Sequence, residues 1–145
     1  MRRNFKKRLG TAKPKEGSRR DLKKKCKSIT AQLVKMRDGH QCQQCSEDNV
    51  ISTGVIDAGH VYPVSAFPGG EFDLTNIHGQ CRRHNTIHIG RPELYLKWFE
   101  NKFGYKELEA LHERALAKPP TNDELRVMIQ ERTAKVEGLR LLAVA

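Results

Sequence analysis

Two short pairs of side chains constrain this chain more than anything else in it. They are Cys42-x-x-Cys45 and Cys81-x-x-His84, with 35 residues between Cys45 and Cys81. Two-residue spacing lets both side chains of a pair turn toward one ion. Zinc takes four thiolate or imidazole donors in a tetrahedron. Four protein ligands make a closed, structural site, and any fold must then return residues 81–84 to residues 42–45. The staple matters because 145 residues at 37% hydrophobic content form a modest core, and ligand binding contributes folding free energy directly. A redox-active Cys42/Cys45 pair is the rival reading. Cys26, isolated in a lysine run, is read as a bystander.

The charge is as uneven as the cysteines. The chain carries a net +10, yet residues 1–27 hold 13 Lys/Arg against Glu16 and Asp21, while the other 118 residues hold 14 Lys/Arg and 15 acids. Such an arm has little apolar surface to bury and is expected to be disordered when free. It suits a polyanion, because every neutralised phosphate releases counterions without reading sequence. Arg2, Arg3, Lys6, Lys7, Arg8, Arg19, Arg20, Lys23, Lys24 and Lys25 are its candidate nucleic-acid contacts; a membrane surface and plain solubility are the other uses of such a tail. The opening "MRRNFKKRLG" lacks the apolar run of a secretory signal, and no window reaches the roughly 18 apolar residues of a membrane span. A reducing cytoplasm is the expected location, where clustered cysteines favour metal over disulfide.

Along the chain, Ile29, Leu33 and Met36 predict a short helix capped by Ser28 and stopped at Gly39. Residues 42–49 read as turn, residues 51–64 as two β segments around Gly54, and Leu74 to about Ile89 as a helix. Pro92 and Gly104 bracket a helix with Leu94, Leu96, Trp98, Phe99 and Phe103 on its apolar side. A second, with Leu108, Leu111 and Leu116, ends at Pro119–Pro120. Thr121 and Glu124 form a capping box opening a last helix lined by Leu125, Met128, Ile129, Val136 and Leu139. The divisions are a basic arm over 1–27, a core over 28–118 and a terminal helix over 119–145.

If zinc closes the loop, His60 and Asn85 come near each other. A neutral imidazole takes a proton from water near pH 7. A hard cation held by oxygen donors, among them the Asn85 amide, stabilises charge on a phosphate. A lone histidine after a strand also serves purely structural ends.

The string "CQQC…AGHVYP…FDLTNIHGQCRRHNTIHIG" resembles the HNH, or ββα-metal, nucleases. More narrowly it is similar to the phage NinG/Rap recombination nucleases over roughly residues 40–105, and an asparagine directly after the last zinc ligand is also a feature of the phage endonuclease VII type. The resemblance implies an α+β fold, a small zinc-stapled ββα-metal (HNH, treble-clef-like) core with flanking helices. It implies His60 as the base, Asn85 as a ligand of a catalytic Mg²⁺ or Mn²⁺, and Asn76 as the middle asparagine that orients the loop. His88 is a candidate for phosphate or metal, Arg82 and Arg83 are candidates for phosphate or plain solvated surface, and His78 matches the pattern without an assigned role. The sequence departs from that pattern twice. His84 stands where cysteine is usual, and Gly59 stands where many HNH enzymes carry an aspartate before the histidine. Asp57, two residues back on the same strand face, is the candidate replacement. The implied function is metal-dependent endonuclease cleavage of branched DNA such as Holliday junctions. A homodimer is expected for paired cuts, phage recombination proteins are the partners that come with the resemblance, and no membrane is involved. A non-catalytic zinc-stabilised DNA-binding module and an HNH nuclease for plain duplex remain open.

Overall fold

A computed structural model describes residues 17–144. Helix α1 (Arg19–Arg37) is capped by Ser18, whose hydroxyl accepts from the Asp21 amide at 3.2 Å. Asp21 lies in its first turn and Lys35 and Arg37 in its last, each sign matching the helix dipole. Nine residues of the stretch expected to be an arm are therefore helical. A face of Leu22, Cys26, Thr30 and Leu33 runs at helical spacing beneath the lysines and buries itself on helix α6 (Asn122–Val144). Cys26 is 0% exposed, packed with Leu22, Phe72 and Leu125, so it is a core residue and no bystander. Residues 1–16, with Arg2, Arg3, Lys6, Lys7 and Arg8, lie outside the described residues.

Helices α1 and α6 run side by side in one direction: Arg19 bonds Pro120 O and Asn122 Oδ1, Thr30 bonds Arg132, and Gln32 bonds Arg140. Buried Arg132 donates to Thr30 Oγ1 and, at 2.7 Å, to Phe72 O. The expected capping box forms in both directions, Thr121 N to Glu124 Oε2 at 2.7 Å and Glu124 N to Thr121 Oγ1 at 3.2 Å. Of the apolar stripe expected on this helix, Leu125 and Val136 are buried and Leu139 is exposed.

Between these helices lies the part that positions the site. A short helix α2 (Gln43–Glu47) replaces the expected turn. Strand β1 (Ile56–His60) pairs antiparallel with β2 (Ile77–Cys81), from Ile56 opposite Cys81 to His60 opposite Ile77. Helix α3 (Arg82–Gly90) follows at once. Two expectations fail here. Only the second of the two β segments forms, and residues 77–81, expected to be helical, are a strand. The backbone polar groups of β1 need a ladder, and Ile77–Cys81 supplies it. Helices α4 (Pro92–Phe103) and α5 (Tyr105–Leu116) form as expected, Gly104 turning between them at φ 94°. Tyr95, Trp98 and Phe99 from α4 and Leu111 and Ala115 from α5 bury against Val61 and Tyr62 just beyond β1.

Candidate active site and metal centre

Cys42 caps α2 and Cys45 lies within it, while Cys81 ends β2 and His84 lies in the first turn of α3. Their ligand atoms all fall within 4.8 Å of one another. His84 Nδ1 is 3.3 Å from Cys42 Sγ, 3.5 Å from Cys45 Sγ and 3.3 Å from Cys81 Sγ, and the Cys45 and Cys81 sulfurs are 3.9 Å apart. A zinc tetrahedron with bonds of about 2.3 Å to sulfur and about 2.0 Å to nitrogen has edges of roughly 3.5–3.8 Å, so the donor set fits that ion. Burial and the neighbouring Cys42 thiol push Cys45 up to about 11; zinc offsets this by binding the thiolate form.

His60 ends β1, and its Nε2 lies 2.9 Å from the Glu71 carbonyl. A carbonyl only accepts, so Nε2 carries the proton and Nδ1 keeps its lone pair. Burial lowers the His60 pKa from the ordinary 6.5, which holds the ring neutral at pH 7. Asn76, 0% exposed, clamps the chain beyond it: its Oδ1 accepts from Tyr62 N at 2.8 Å, and its Nδ2 donates to Tyr62 O and Gly70 O at 3.0 Å each. With its amide so engaged and sealed from solvent, Asn76 ties the segment just beyond His60 to the loop at Gly70.

Asn85 and His88 face β1 from α3, and together with Gly59, His60 and Val61 they line a cavity of about 490 Å³. Asn85 Nδ2 sits 3.5 Å from Asp57 Oδ2, and Arg82 approaches Asp57 Oδ1 at 3.8 Å. The strand is regular, so Asp57 and Gly59 share a face with Gln80, while His60 projects to the other. A side chain built on Gly59 would run into Gln80 Oε1 and come within 3.0 Å of Asn85 Oδ1. His88 Nδ1 meets Gln80 Nε2 at 2.6 Å, and its ring stacks on Tyr95. Asn85 thus lines the cavity with the Asp57 carboxylate beside it, and Gln80 stands across the ladder from Asp57.

Sequence reasoning missed three contributors. The Glu71 carbonyl sets the His60 tautomer, Lys27 stands with Glu71 around a small cavity beside His60, and Gln80 fills the space over Gly59. The spacing of a backbone carbonyl across a loop leaves no signal in sequence, and Lys27 is hidden among other lysines. The expected basic contacts divide. Arg19 holds α6, and Lys23 pairs with Glu71 at 3.0 Å. Lys25 pairs with Asp21 at 3.4 Å, whereas Arg20, Lys24 and Arg83 are exposed. His78 lies in the core among the rings of Trp98, Phe99 and Phe103, donating from Nε2 to Thr75 O at 2.8 Å, and burial takes its pKa down to about 4.

Among the described residues no helix is long and apolar enough to cross a membrane. No curated protein and no solved structure matches the chain at a significant level. The family described as bacteriophage Lambda NinG protein matches residues 1–141. With that match and its three-cysteine, one-histidine cluster, the chain belongs to the NinG family and has a metal-dependent nuclease role in recombination.

Proposed function

We propose that the chain hydrolyses phosphodiester bonds in branched DNA, Holliday junctions included, with His60 as general base and Asn85 and Asp57 as oxygen ligands of a catalytic Mg²⁺ or Mn²⁺. The observation that carries this is the anchored His60, a residue lining the same cavity as Asn85, its Nε2 tied to Glu71 and its Nδ1 without a hydrogen bond among the described residues. Bound there, the cation supplies charge stabilisation for the phosphate and the departing oxygen.

His60 Nδ1 accepts a proton from water, whose oxygen attacks phosphorus as the bond to the bridging oxygen breaks. In-line displacement puts the attacking and leaving oxygens on opposite sides of phosphorus. Adjacent strand residues point to opposite faces and His60 is the last residue of β1, so a phosphate at the end of the strand, beside residues 59 and 60, has the imidazole on one side and the oxygen donors on the other. Lys27 beside His60, with Arg82 and exposed Arg83 on α3, offers positive charge for the flanking phosphates. The structural zinc keeps α3 against the hairpin and takes no part in the chemistry. Two strands cut in concert call for a homodimer, acting with phage recombination proteins in the host cytoplasm.

The test uses a labelled four-way junction and a matched linear duplex, each with Mg²⁺ or EDTA, and the His60→Ala protein alongside. Nicking should need Mg²⁺, favour the junction, and disappear in the variant while binding persists. Equal cutting by variant and parent removes His60 from the reaction; equal cutting of both substrates leaves a nuclease for plain duplex.

A further inference from the structure

The absence of a carboxylate at residue 59 leaves the cation reading one ligand short, and the structure offers a replacement from the opposite strand. We infer that Gln80 Oε1 is a third oxygen ligand of the divalent-cation site, occupying the space that a residue-59 side chain would take. The inference rests on the cation reading above and assigns it a further residue.

Three observations converge. Gln80 is 0% exposed, and its Oε1 is one of the few buried polar atoms without a hydrogen-bond partner among the described residues. An acceptor buried without a partner costs on the order of 1–3 kcal/mol, so such an oxygen calls for a ligand outside the chain. The oxygen is also aimed at the right place: a Cβ on Gly59 would collide with it and would lie 3.0 Å from Asn85 Oδ1. The two amide oxygens are therefore near neighbours, close enough for one ion beside Gly59 to bridge them. Finally, Gln80 stands directly across the ladder from Asp57, whose carboxylate supplies the formal charge that two neutral amides lack. The Gln80 amide is held from behind, its Nε2 2.6 Å from His88 Nδ1 and 3.4 Å from Gln44 Oε1. Gly59 and Asn85 line the cavity, which leaves the outer side of such an ion to water and phosphate, as Mg²⁺ prefers. Glycine at 59 thus makes the room that Gln80 fills.

The experiment measures Mn²⁺ binding to the full, zinc-loaded chain by the decline of the free-ion paramagnetic resonance signal, with no DNA present. One zinc per chain and an unchanged circular dichroism spectrum certify each variant's fold. Gln80→Met should weaken binding on the order of tenfold or more, Asn85→Ala likewise, and Gln80→Glu should bind at least as tightly as the parent. His60→Ala should bind normally. If Asn85→Ala loses Mn²⁺ while both Gln80 variants bind like the parent, Gln80 is no ligand and the cation reading survives. If both Gln80 variants weaken, the amide instead donates its N–H to Asn85, and the inference also falls. Should Gln80→Met fail to fold, the Gln80→Glu measurement decides alone. A parent that binds no Mn²⁺ overturns the cation reading and this inference together.

Discussion

Replacing Asn76 by aspartate exchanges one NH₂ group for oxygen and leaves the side-chain shape unchanged. The Oδ1 bond to Tyr62 N survives, but Tyr62 O and Gly70 O, each 3.0 Å from Nδ2, then face an acceptor. Gly70 O keeps the Asp73 N–H at 3.3 Å, but Tyr62 O is left unpaired, which costs about 1–3 kcal/mol, so the ionised variant should lose at least that much, a sizeable part of the roughly 5–15 kcal/mol typical of a domain. Protonation restores one donor and one of the two bonds. The folded state therefore raises the new carboxyl's pKa above its unfolded value near 3.9. A group shifted upward stabilises most below its unfolded pKa and loses that contribution as pH rises through the folded one. The deficit of Asn76→Asp relative to the parent should accordingly grow between pH 5 and pH 8. Urea titrations of both proteins at matched pH, in excess zinc, read this as a difference in midpoint. Equal midpoints at pH 8, or a deficit that does not change with pH, would refute the clamp argument. Cleavage should fall with stability, because the clamp holds the chain just beyond His60.

Cys42→Ser removes one of four ligands and should cost zinc and most of the thermal stability; elemental analysis finding one zinc per chain in the variant would contradict the staple. Deleting residues 1–16 removes seven Lys/Arg and one acid while sparing α1, so DNA binding should weaken and its log–log salt slope should flatten by about 0.9 for each phosphate that is no longer neutralised. Extending the cut to residue 25 also removes Leu22 from the core and should lower the melting temperature, which the shorter deletion leaves alone. Burial depresses the His60 pKa below 6.5, so the base stays neutral through pH 7 and kcat/KM should fall only as pH drops below that value; a rate that climbs toward acid would count against His60 as base.

The four zinc ligands, the capping box at Thr121 and the helices ending at Gly104 and Pro119 are legible in the sequence because each rests on signals a few residues apart. Cys26 and the first half of α1 are not, because lysines dominate that stretch, and only burial against Leu125 distinguishes Leu22 and Cys26 from the rest of a charged tail. Residues 77–81 mislead for a related reason. Their local composition tolerates a helix, and the need of β1 for a hydrogen-bonded neighbour turns them into a strand.

The sequence by itself determined that residues 81–84 must return to residues 42–45, since spacing and donor type are local and zinc accepts little else. Tertiary structure alone decided which tautomer His60 adopts, that Asn76 is sealed in a clamp, and that Gln80 stands over Gly59. Those outcomes depend on a carbonyl eleven residues away, on backbone groups of a loop, and on strand register. None of the three leaves a periodicity to read, because register and loop closure emerge only when the whole core packs.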